Sequence, residues 1–524
     1  MHRVEHVGIG HNASFNVRLF TQQFSKAARF RHRLIVVSPD PREVLNCRGR
    51  LAVNVLLFSW LFTDQWSMRL TMLNISQGKA SDFCDGMTRR HFLRIGGLSM
   101  AGLSVTDLLR LRASGDIRSE ARDKSVIMVY LPGGPSHLDM YDMKPNAPVE
   151  IRGEFDPIGT NVPGIDICEL MPRQTEIADK FTVIQGLRTF GNGHDPYEIL
   201  SSDPRAATKL PPNPVPVFGS VVSKVRSVAG GDVPPYVNVD NLHLLRPSLN
   251  DDPETAAYLG RAYEPFRMNG PGLENLSLAD GVTLDRLQER KTLLRSFDSL
   301  QRGFEKSKIV TSYTEQALAL ISSNKVRDAF DLSQEPDSVR KLYGPATDFL
   351  LARRLVESGV SVVTLPGRFP ATIGNFDRGS SDHWDTHRHN FKFLRLMLPQ
   401  YDRAVSALIG DIYQRGLDKD VLVVVWGEFG RTPKVDTAPG FVGGRGHWLE
   451  AGFILMAGGG LKMGQVVRET DRHGLRALGQ PVTPANVLAT IYHVLGIDPT
   501  RTFPDHSGRP RYILDNPEPI SELL

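Results

Sequence analysis

The chain has 524 residues, of which 41% are hydrophobic and 23% are charged, and it carries a formal net charge of +4. This composition is that of an ordinary soluble globular protein, and residues 121–524 alone can form one large or two ordinary domains with a substantial core. The small charge and the lack of a basic tract interleaved with aromatic residues exclude a nucleic-acid-binding protein. No stretch after residue 121 reaches the length of a stable transmembrane segment.

The first segment, residues 1–71, contains many arginines and one apolar patch at 51–62. The patch is too short to cross a bilayer, which takes roughly 20 residues. Nothing around it supplies the periodic elements of a domain. We therefore predict that translation starts at Met72 and that residues 1–71 are a mis-assigned N-terminal extension.

Residues 72–120 carry the features of an export signal. Arg89 and Arg90 form a pair of cationic residues, and Phe92 and Leu93 follow them at the spacing of a twin-arginine signal. A weakly apolar run follows at 95–105, and a basic segment before a short apolar one is typical of a signal peptide. The alternative is a turn of an ordinary amphipathic helix. We predict export by the twin-arginine machinery to the periplasm or cell envelope, in a product whose one remaining thiol, Cys168, forms no internal disulfide.

From residue 121 onwards, strand-like and helix-like segments alternate along the chain. Apolar runs predict strands at 125–131, 181–186, 360–365, 421–426 and 451–460. Apolar spacings of three and four predict helices at 170–180, 283–308, 312–330, 346–358, 396–415 and 483–497. Residues 205–280 are rich in proline and glycine and are predicted to be an insertion or covering region. This alternation predicts an α/β protein, a three-layer α/β/α sandwich with a mostly parallel sheet.

Ligands of such sheets bind at the carboxyl ends of the strands, so the loops there should hold the functional residues. These loops concentrate imidazole, carboxylate and guanidinium groups, namely His137, Asp139, His194, Asp195, Asp385, His387, Glu428, Arg431, Arg445 and His447. Imidazole and carboxylate together suit Zn²⁺ or Mn²⁺. No phosphate-binding, dinucleotide-binding, nucleophile-elbow or zinc-protease motif occurs in a matching context.

The predicted ligands and arginines also have structural interpretations. Asp385 and His387 could cap a helix that begins near Asn390, because short polar side chains accept the first backbone N–H groups. Glu428 and Arg431 could form an ion pair that orders their loop without any chemistry. The sequence alone leaves these alternatives open.

Two further pairs have structural alternatives of a different kind. His447 could pack at a turn beside Trp448. His137 and Asp139 could anchor their loop through Asx-type turns. No single group decides between structure and function, and the joint pattern carries more weight than any one of them.

Several motifs in the same order resemble those of the bacterial exported family called domain of unknown function 1501. They are FCDGMTRRHFLRIGG, LPGGPSHLDMYDMKP, WDTHRHNF, VVWGEFGRTP and GRGHW, and the resemblance covers residues 72–510. That family resembles a branch of the alkaline phosphatase–sulfatase superfamily. The resemblance implies the α/β/α sandwich of alkaline phosphatase and one or two divalent metal ions. It also supports a start at Met72, since members open with a similar segment.

The resemblance implies a metal-ligand set of Asp385, His387, Glu428 and His447. The superfamily has a carboxylate directly after the first strand, where this chain has Gly133 and Gly134, so Asp139 is a weak substitute. The family has Asp before the last histidine, and this chain has Gly446. Thr189 is the only hydroxyl where the superfamily carries its nucleophile, and we name it a weak catalytic candidate.

These residues predict an exported, metal-dependent hydrolase of phosphate or sulfate esters, in which Arg431 or Arg445 stabilises charge on the ester oxygens. The chain has no C/S-x-P-x-R motif, so a formylglycine sulfatase is not expected, and attack by metal-activated water would need no side-chain nucleophile. The competing hypothesis is a non-catalytic envelope protein of the same fold that binds an anionic glycan or a protein partner. In a third hypothesis the metal is purely structural.

Overall fold

The computed structural model divides into two units, Met1–Ser114 and Gly115–Leu524. It describes residues 4–8, 14–21, 52–61, 67–76, 95–97, 123–204, 214–227, 233–239, 253–267, 328–373 and 380–524. The strands of the first unit are β1 (Val4–Gly8), β2 (Ser14–Thr21), β3 (Ala52–Leu61), β4 (Ser67–Ser76) and β5 (Ile95–Gly97). They form one sheet in the order β1-β2-β4-β3-β5. The residues of the predicted export signal, Arg89, Arg90, Phe92 and Leu93, lie outside the described residues.

The second unit is built around an eight-stranded sheet. Its strands and short hairpins are β6 (Ser125–Tyr130), β7 (Pro157–Gly159), β8 (Asp166–Cys168), β9 (Phe181–Gln185), β10 (Tyr236–Asn238), β11 (Phe266–Arg267), β12 (Val362–Pro366), β13 (Ala371–Thr372), β14 (Ser380–Ser381), β15 (Val421–Trp426), β16 (Gly430–Arg431), β17 (His447–Trp448), β18 (Phe453–Gly458), β19 (Gln465–Val467), β20 (Thr502–Pro504) and β21 (Pro510–Tyr512). The large sheet has the order β11-β10-β12-β6-β15-β18-β9-β19. Every neighbouring pair is parallel except the two made by β18, which runs antiparallel to β15 and β9. The predicted mostly parallel sheet is confirmed.

Helices cover both faces of this sheet. They are α1 (Val149–Arg152), α2 (Pro172–Thr175), α3 (Tyr197–Ser201), α4 (Phe218–Arg226), α5 (Asp337–Tyr343), α6 (Thr347–Glu357), α7 (Asn390–Gln414) and α8 (Pro484–Val494). Side chains alternate across a strand, so Ile127 and Val129 of β6 enter one core while Val126 and Met128 enter the other. Helices α6 and α7 pack into the first core, and α3, α4 and α8 pack into the second. The three-layer sandwich is therefore confirmed.

The sequence-based prediction is wrong about the segment before β9. A helix was expected at 170–180, but the chain there forms only the single turn of α2 and a 3-10 turn at Ala178–Lys180. The backbone N–H groups of Glu176 and Ile177 donate three residues back, to the carbonyls of Arg173 and Gln174, so the helix tightens and ends after one turn. Helix α7 begins at Asn390, earlier than the expected 396, and runs through the internal Pro399.

The range 205–280, predicted as an insertion, contributes α4 and the sheet strands β10 and β11. The helices predicted at 283–308 and 312–330 lie outside the described residues, apart from the last three positions. Within the described part of the chain, no helix has the length and apolar character needed to cross a membrane.

Candidate metal centre at the carboxyl edge of the sheet

Four side chains meet above the carboxyl ends of the parallel strands. They are His194, Asp385, His387 and His447, and one ligand atom of each lies within 4.8 Å of those of the others. Asp385 Oδ1 lies 3.2 Å from Nε2 of His194, 3.1 Å from Nε2 of His387 and 3.4 Å from Nε2 of His447. Three imidazole nitrogens and one carboxylate oxygen thus face a common centre.

Asp385 reaches this centre because its segment is fixed against the loop after β6. The backbone N–H of Trp384 donates to the Pro132 carbonyl at 2.7 Å, and its indole N–H donates to the Gly367 carbonyl at 2.9 Å. Gly133 has a φ of +105°, and a Cβ placed on it would lie 2.4 Å from the backbone nitrogen of Asp385. Glycine is therefore required at position 133, since any side chain would push Asp385 away.

His447 reaches the same edge because β18 runs against its neighbours. The amino end of an antiparallel strand lies beside the carboxyl ends of the strands next to it, so the residues just before β18 arrive at the site. His447 also pairs with Arg431 across the β16–β17 hairpin. Sequence periodicity predicted the strand but gave no information about its direction.

His194 lies on the loop between β9 and α3 and is held by a second carboxylate. Its Nδ1 donates to Glu428 Oε1 at 2.7 Å, and the same oxygen accepts the backbone N–H of Gly133 at 2.8 Å. A ligating histidine commonly donates its outer N–H to a carboxylate or carbonyl, which fixes the ring orientation. Glu428, expected as a ligand, therefore lies behind His194, outside the cluster of four. Within the described residues, its buried Oε2 makes no hydrogen bond.

The outer nitrogen of His447 is fixed in the same way. Nδ1 of His447 lies 2.8 Å from the carbonyl oxygen of Asn192, and a carbonyl only accepts, so Nδ1 carries the proton. In the neutral ring, Nε2 then has a lone pair that faces the centre. It lies 2.9 Å from Nε2 of His387.

Arg431 forms a buried ion pair with Asp385. Its Nη2 donates to Asp385 Oδ1 at 2.7 Å and to the carbonyl of Gly133, while Nε donates to the carbonyl of Gly134 at 2.8 Å and Nη1 to that of Arg445 at 3.0 Å. The side chain is fully buried. Arg431 therefore orients Asp385, and its own guanidinium is engaged on the inside of the protein.

Asp139 and Arg445 pair with each other, away from the cluster. Nε and Nη2 of Arg445 donate to the two oxygens of Asp139, both at 2.8 Å, and both residues are buried. The other N–H groups of Arg445 donate to backbone carbonyls, those of Ile151, Thr432 and Pro433. With every donor engaged, Arg445 has none for an ester, and Asp139 is occupied as its counter-ion. This geometry replaces the roles predicted for both residues.

Thr189, the weak candidate for a nucleophile, is buried at the start of the β9–α3 loop. Its backbone N–H donates to the Leu449 carbonyl at 3.0 Å. Among the described residues, its hydroxyl makes no hydrogen bond and no carboxylate or imidazole activates it. The Thr189 hydroxyl therefore forms no hydrogen bond with any of the four side chains of the cluster.

The structural alternatives for the ligand residues do not describe this arrangement. No side chain caps α7, whose N-cap position is His389, so neither Asp385 nor His387 serves as its cap. Arg431 contacts Asp385, and Glu428 contacts His194, so two separate contacts stand in place of the alternative ion pair between Glu428 and Arg431.

The electrostatics of the centre favour an ionised carboxylate. Burial raises the pKa of Asp385, but the three histidines and Arg431 outweigh it and hold that pKa well below its usual range. Burial lowers the pKa of His194, yet its hydrogen bonds to Asp385 and Glu428 raise it to about 9. Burial holds the pKa of His447 below its usual value. A carboxylate and a neutral imidazole are the forms that bind divalent cations, so Asp385 and His447 are already in those forms, whereas His194 has to release a proton to bind one.

His194 is the member of the cluster to which the sequence analysis gave no role. It lies in a strand-end loop that the sequence had singled out, FGNGHDPYE after β9. The loop has no spacing typical of metal ligands, because its histidine is far in sequence from the others. Its position at the carboxyl end of a parallel strand was the signal that pointed to it.

Comparison with known proteins yields a family and distant structural neighbours. A family model described as "Protein of unknown function (DUF1501)" matches residues 123–524. No protein of curated function matches the sequence.

Three solved structures show distant similarity to the chain. The phosphonate monoester hydrolase SpPMH from Silicibacter pomeroyi has 12% identity and a TM-score of 0.33, over 72% of this chain and 74% of its own. The C-terminal periplasmic domain of EcEptC from Escherichia coli, in complex with Zn, has 11% identity and a TM-score of 0.32, over 78% and 94%. PsFucS1 sulfatase from Pseudoalteromonas sp. has 10% identity and a TM-score of 0.31, over 75% and 72%. Similarity at this level does not transfer an activity to the chain.

Proposed function

The chain belongs to the DUF1501 family, and we propose that it is a divalent-metal-dependent hydrolase of phosphate or sulfate esters. The observation that carries the proposal is the convergence of three imidazole nitrogens and one carboxylate oxygen within 4.8 Å, at the edge of the sheet where ligands bind. Nitrogen and oxygen ligands of this kind suit Zn²⁺ or Mn²⁺.

The donor atoms of the cluster can be shared by one cation. The Asn192 carbonyl requires the proton on Nδ1 of His447, which leaves a lone pair on Nε2 facing Nε2 of His387 at 2.9 Å. This contact is satisfied either by a proton on Nε2 of His387 or by a cation that both nitrogens bind. Asp385 supplies the negative charge that a divalent ion needs, and Glu428 supplies a second one behind His194.

A divalent cation held here would polarise an ester oxygen as a Lewis acid. The protein's own residues would then orient the reactants. His387 and His447 are partly exposed, whereas His194 is nearly buried, so a substrate approaches from the side of the first two. The candidate hydroxyl of Thr189 makes no hydrogen bond to a base among the described residues, so we propose direct attack by water without a covalent intermediate.

We propose a different part for Arg431 and Arg445 from the one that the sequence predicted. Both are fully buried, and their donors are engaged with carbonyls and carboxylates. We propose that Arg431 keeps Asp385 ionised and correctly aimed. In this proposal Arg445 and Asp139 hold the loops on which the ligands lie.

A second candidate is binding of an anionic glycan without turnover. Two exposed aromatic rings lie on loops of the site, each with a guanidinium over it. Arg188 is 6.0 Å from the ring of Phe190, and Arg388 is 5.4 Å from the ring of Phe441. Phe441 also lies 6.5 Å from the ring of His387. Aromatic faces beside cationic groups suit a sugar that carries sulfate or phosphate, and they serve a binding protein as well as an enzyme.

We also propose that the protein acts after export to the periplasm or cell envelope by the twin-arginine machinery. The support is the sequence pattern at residues 88–105. Changing both arginines, R89K with R90K, is expected to keep the protein in the cytoplasm, as measured by cell fractionation. Unchanged export of the double variant would contradict this proposal.

The function is tested by metal content and turnover of the purified full chain. Elemental mass spectrometry would be combined with assays on aryl phosphate and aryl sulfate esters, for the wild type, D385A and H447A. The control is H473A, since His473 is a partly buried histidine outside the cluster. We expect Zn or Mn and turnover to be lost together in the first two variants only. Metal without turnover favours the binding protein, and a metal-free wild type overturns the proposal.

A further inference from the structure

A buried carboxylate on α3 holds the loop that carries His194. Glu198 is only 3% exposed. Its Oε1 accepts the backbone N–H of Phe190 and its Oε2 accepts that of Gly191, both at 2.7 Å. Two consecutive backbone donors on one carboxylate form a charge-assisted clamp that fixes the local path of the chain.

The clamp grips the part of the loop that builds the metal centre. The backbone before it is tied down elsewhere, since the N–H groups of Arg188 and Thr189 donate to the carbonyls of Val482 and Leu449. One residue beyond the clamp, the carbonyl of Asn192 accepts from His447 Nδ1. His194 follows two residues later. The clamp therefore lies between residues 188–189, whose backbone is held elsewhere, and the two groups of the loop that reach the centre, the Asn192 carbonyl and His194.

We infer that Glu198 is a positioning residue of the metal centre, which holds the β9–α3 loop so that His194 and the Asn192 carbonyl face their partners. The inference rests on the proposed function, because it assigns a regulation to the same centre. It adds a residue whose hydrogen bonds go to Phe190 and Gly191 and to none of the four proposed metal ligands.

The clamp depends on the protonation of Glu198 near neutral pH. Burial raises the pKa of Glu198 to about 7, the backbone N–H groups of Phe190 and Gly191 oppose this, and the charge of Asp203 adds to it. When Glu198 is protonated, one oxygen becomes a donor that faces a backbone N–H, and one arm of the clamp is lost. The affinity of the centre for a divalent cation therefore falls as the pH drops through 7.

Other charges near Glu198 do not account for this response. Helices α4 and α8 pack against α3, and they carry Lys224, Arg226 and His493. Among the described residues, the charged group that acts on Glu198 is Asp203, from the segment after α3.

The molecule contains a matched control for the clamp. Asp402 of α7 is also buried, and its two oxygens accept the consecutive backbone N–H groups of Arg173 and Gln174, both at 2.9 Å. Burial likewise raises the pKa of Asp402, to about 6. This second clamp holds α2 and contacts no part of the β9–α3 loop, so E198Q and D402N remove the same kind of interaction at different places.

The test measures Zn²⁺ affinity of the full chain by competition with a chromophoric chelator from pH 6 to 8. The wild type, E198Q and D402N are compared, with folding checked by circular dichroism. Supporting residues of a metal site typically change metal affinity by about 10–100-fold. We expect a loss of that size in E198Q at pH 8 and none in D402N. The gap between wild type and E198Q should close as the pH falls below 7, because glutamine mimics protonated Glu198.

A second variant keeps the test valid if E198Q does not fold. D203N leaves the clamp intact but removes the charge that raises the pKa of Glu198, so the fall in affinity should shift to lower pH. Equal Zn²⁺ affinity in wild type and E198Q, or an unshifted profile in D203N, overturns the inference alone. A wild type that binds no Zn²⁺ overturns the proposed function and this inference with it.

Discussion

Replacing Gly133 by alanine tests whether the close approach of two loops positions Asp385. The new Cβ would lie 2.4 Å from the Asp385 backbone nitrogen, and Cβ contacts under 3.0 Å are essentially never seen, so the Asp385 segment has to move by at least 0.6 Å, the difference of the two. Overpacking of this kind costs about 1–3 kcal/mol. The positive φ of +105° adds about 1–2 kcal/mol for any residue with a Cβ.

Gly359 separates these two costs. Its φ is +106°, almost identical to that of Gly133, and a Cβ there would meet nothing within 4 Å. We therefore expect G359A to lower the free energy of unfolding by about 1–2 kcal/mol from the backbone alone. G133A should lower it by about 2–5 kcal/mol, the sum of the backbone and packing costs.

The assay is urea unfolding together with zinc content of the purified variants. G133A is expected to lose zinc because Asp385 moves away from the three histidines, whereas G359A keeps it. Equal destabilisation of the two variants, with zinc retained in both, would refute the idea that the Gly133 contact places the ligand.

Three further changes test other parts of the argument. R431M leaves Asp385 without its buried partner, so we expect a loss of about 3–5 kcal/mol in urea unfolding; a loss under 1 kcal/mol would contradict this. E428Q weakens the support of His194 and should lower zinc affinity about 10–100-fold in chelator competition, with unchanged affinity as the contrary result. The folded-state pKa of Asp402 is raised to about 6 by burial, so its stabilising contribution is lost as the pH rises through 6. D402N should therefore show a smaller decrease of the urea midpoint between pH 4 and pH 7 than the wild type. A midpoint that decreases as much as in the wild type would contradict this prediction.

Much of the fold could be read from the sequence. The runs SVIMVY and VLVVVW are apolar at every position because both faces of a central parallel strand are buried, and each became a strand. The family resemblance is confirmed by the match over residues 123–524. The short turns before β9 were missed because apolar spacing does not show that the chain has to enter a strand after one turn.

The site was predicted in part. The sequence singled out Asp385, His387 and His447, and the structure brings them together. The fourth member of the cluster is His194 and not the expected Glu428, because Glu428 accepts a hydrogen bond from the outer nitrogen, Nδ1, of the His194 ring. Local sequence cannot distinguish a ligand from the carboxylate that holds the ligand, since both are acidic groups after a strand.

The sequence determined which segments are strands, which edge of the sheet bears the loops and which chemical groups those loops carry. These features depend on local periodicity and composition. The tertiary structure decided which groups meet. Arg445 and Asp139 are 306 positions apart and form a buried pair, and His447 reaches the centre only because β18 is antiparallel. Contacts of this range are set by strand order and direction, which no short stretch of chain encodes.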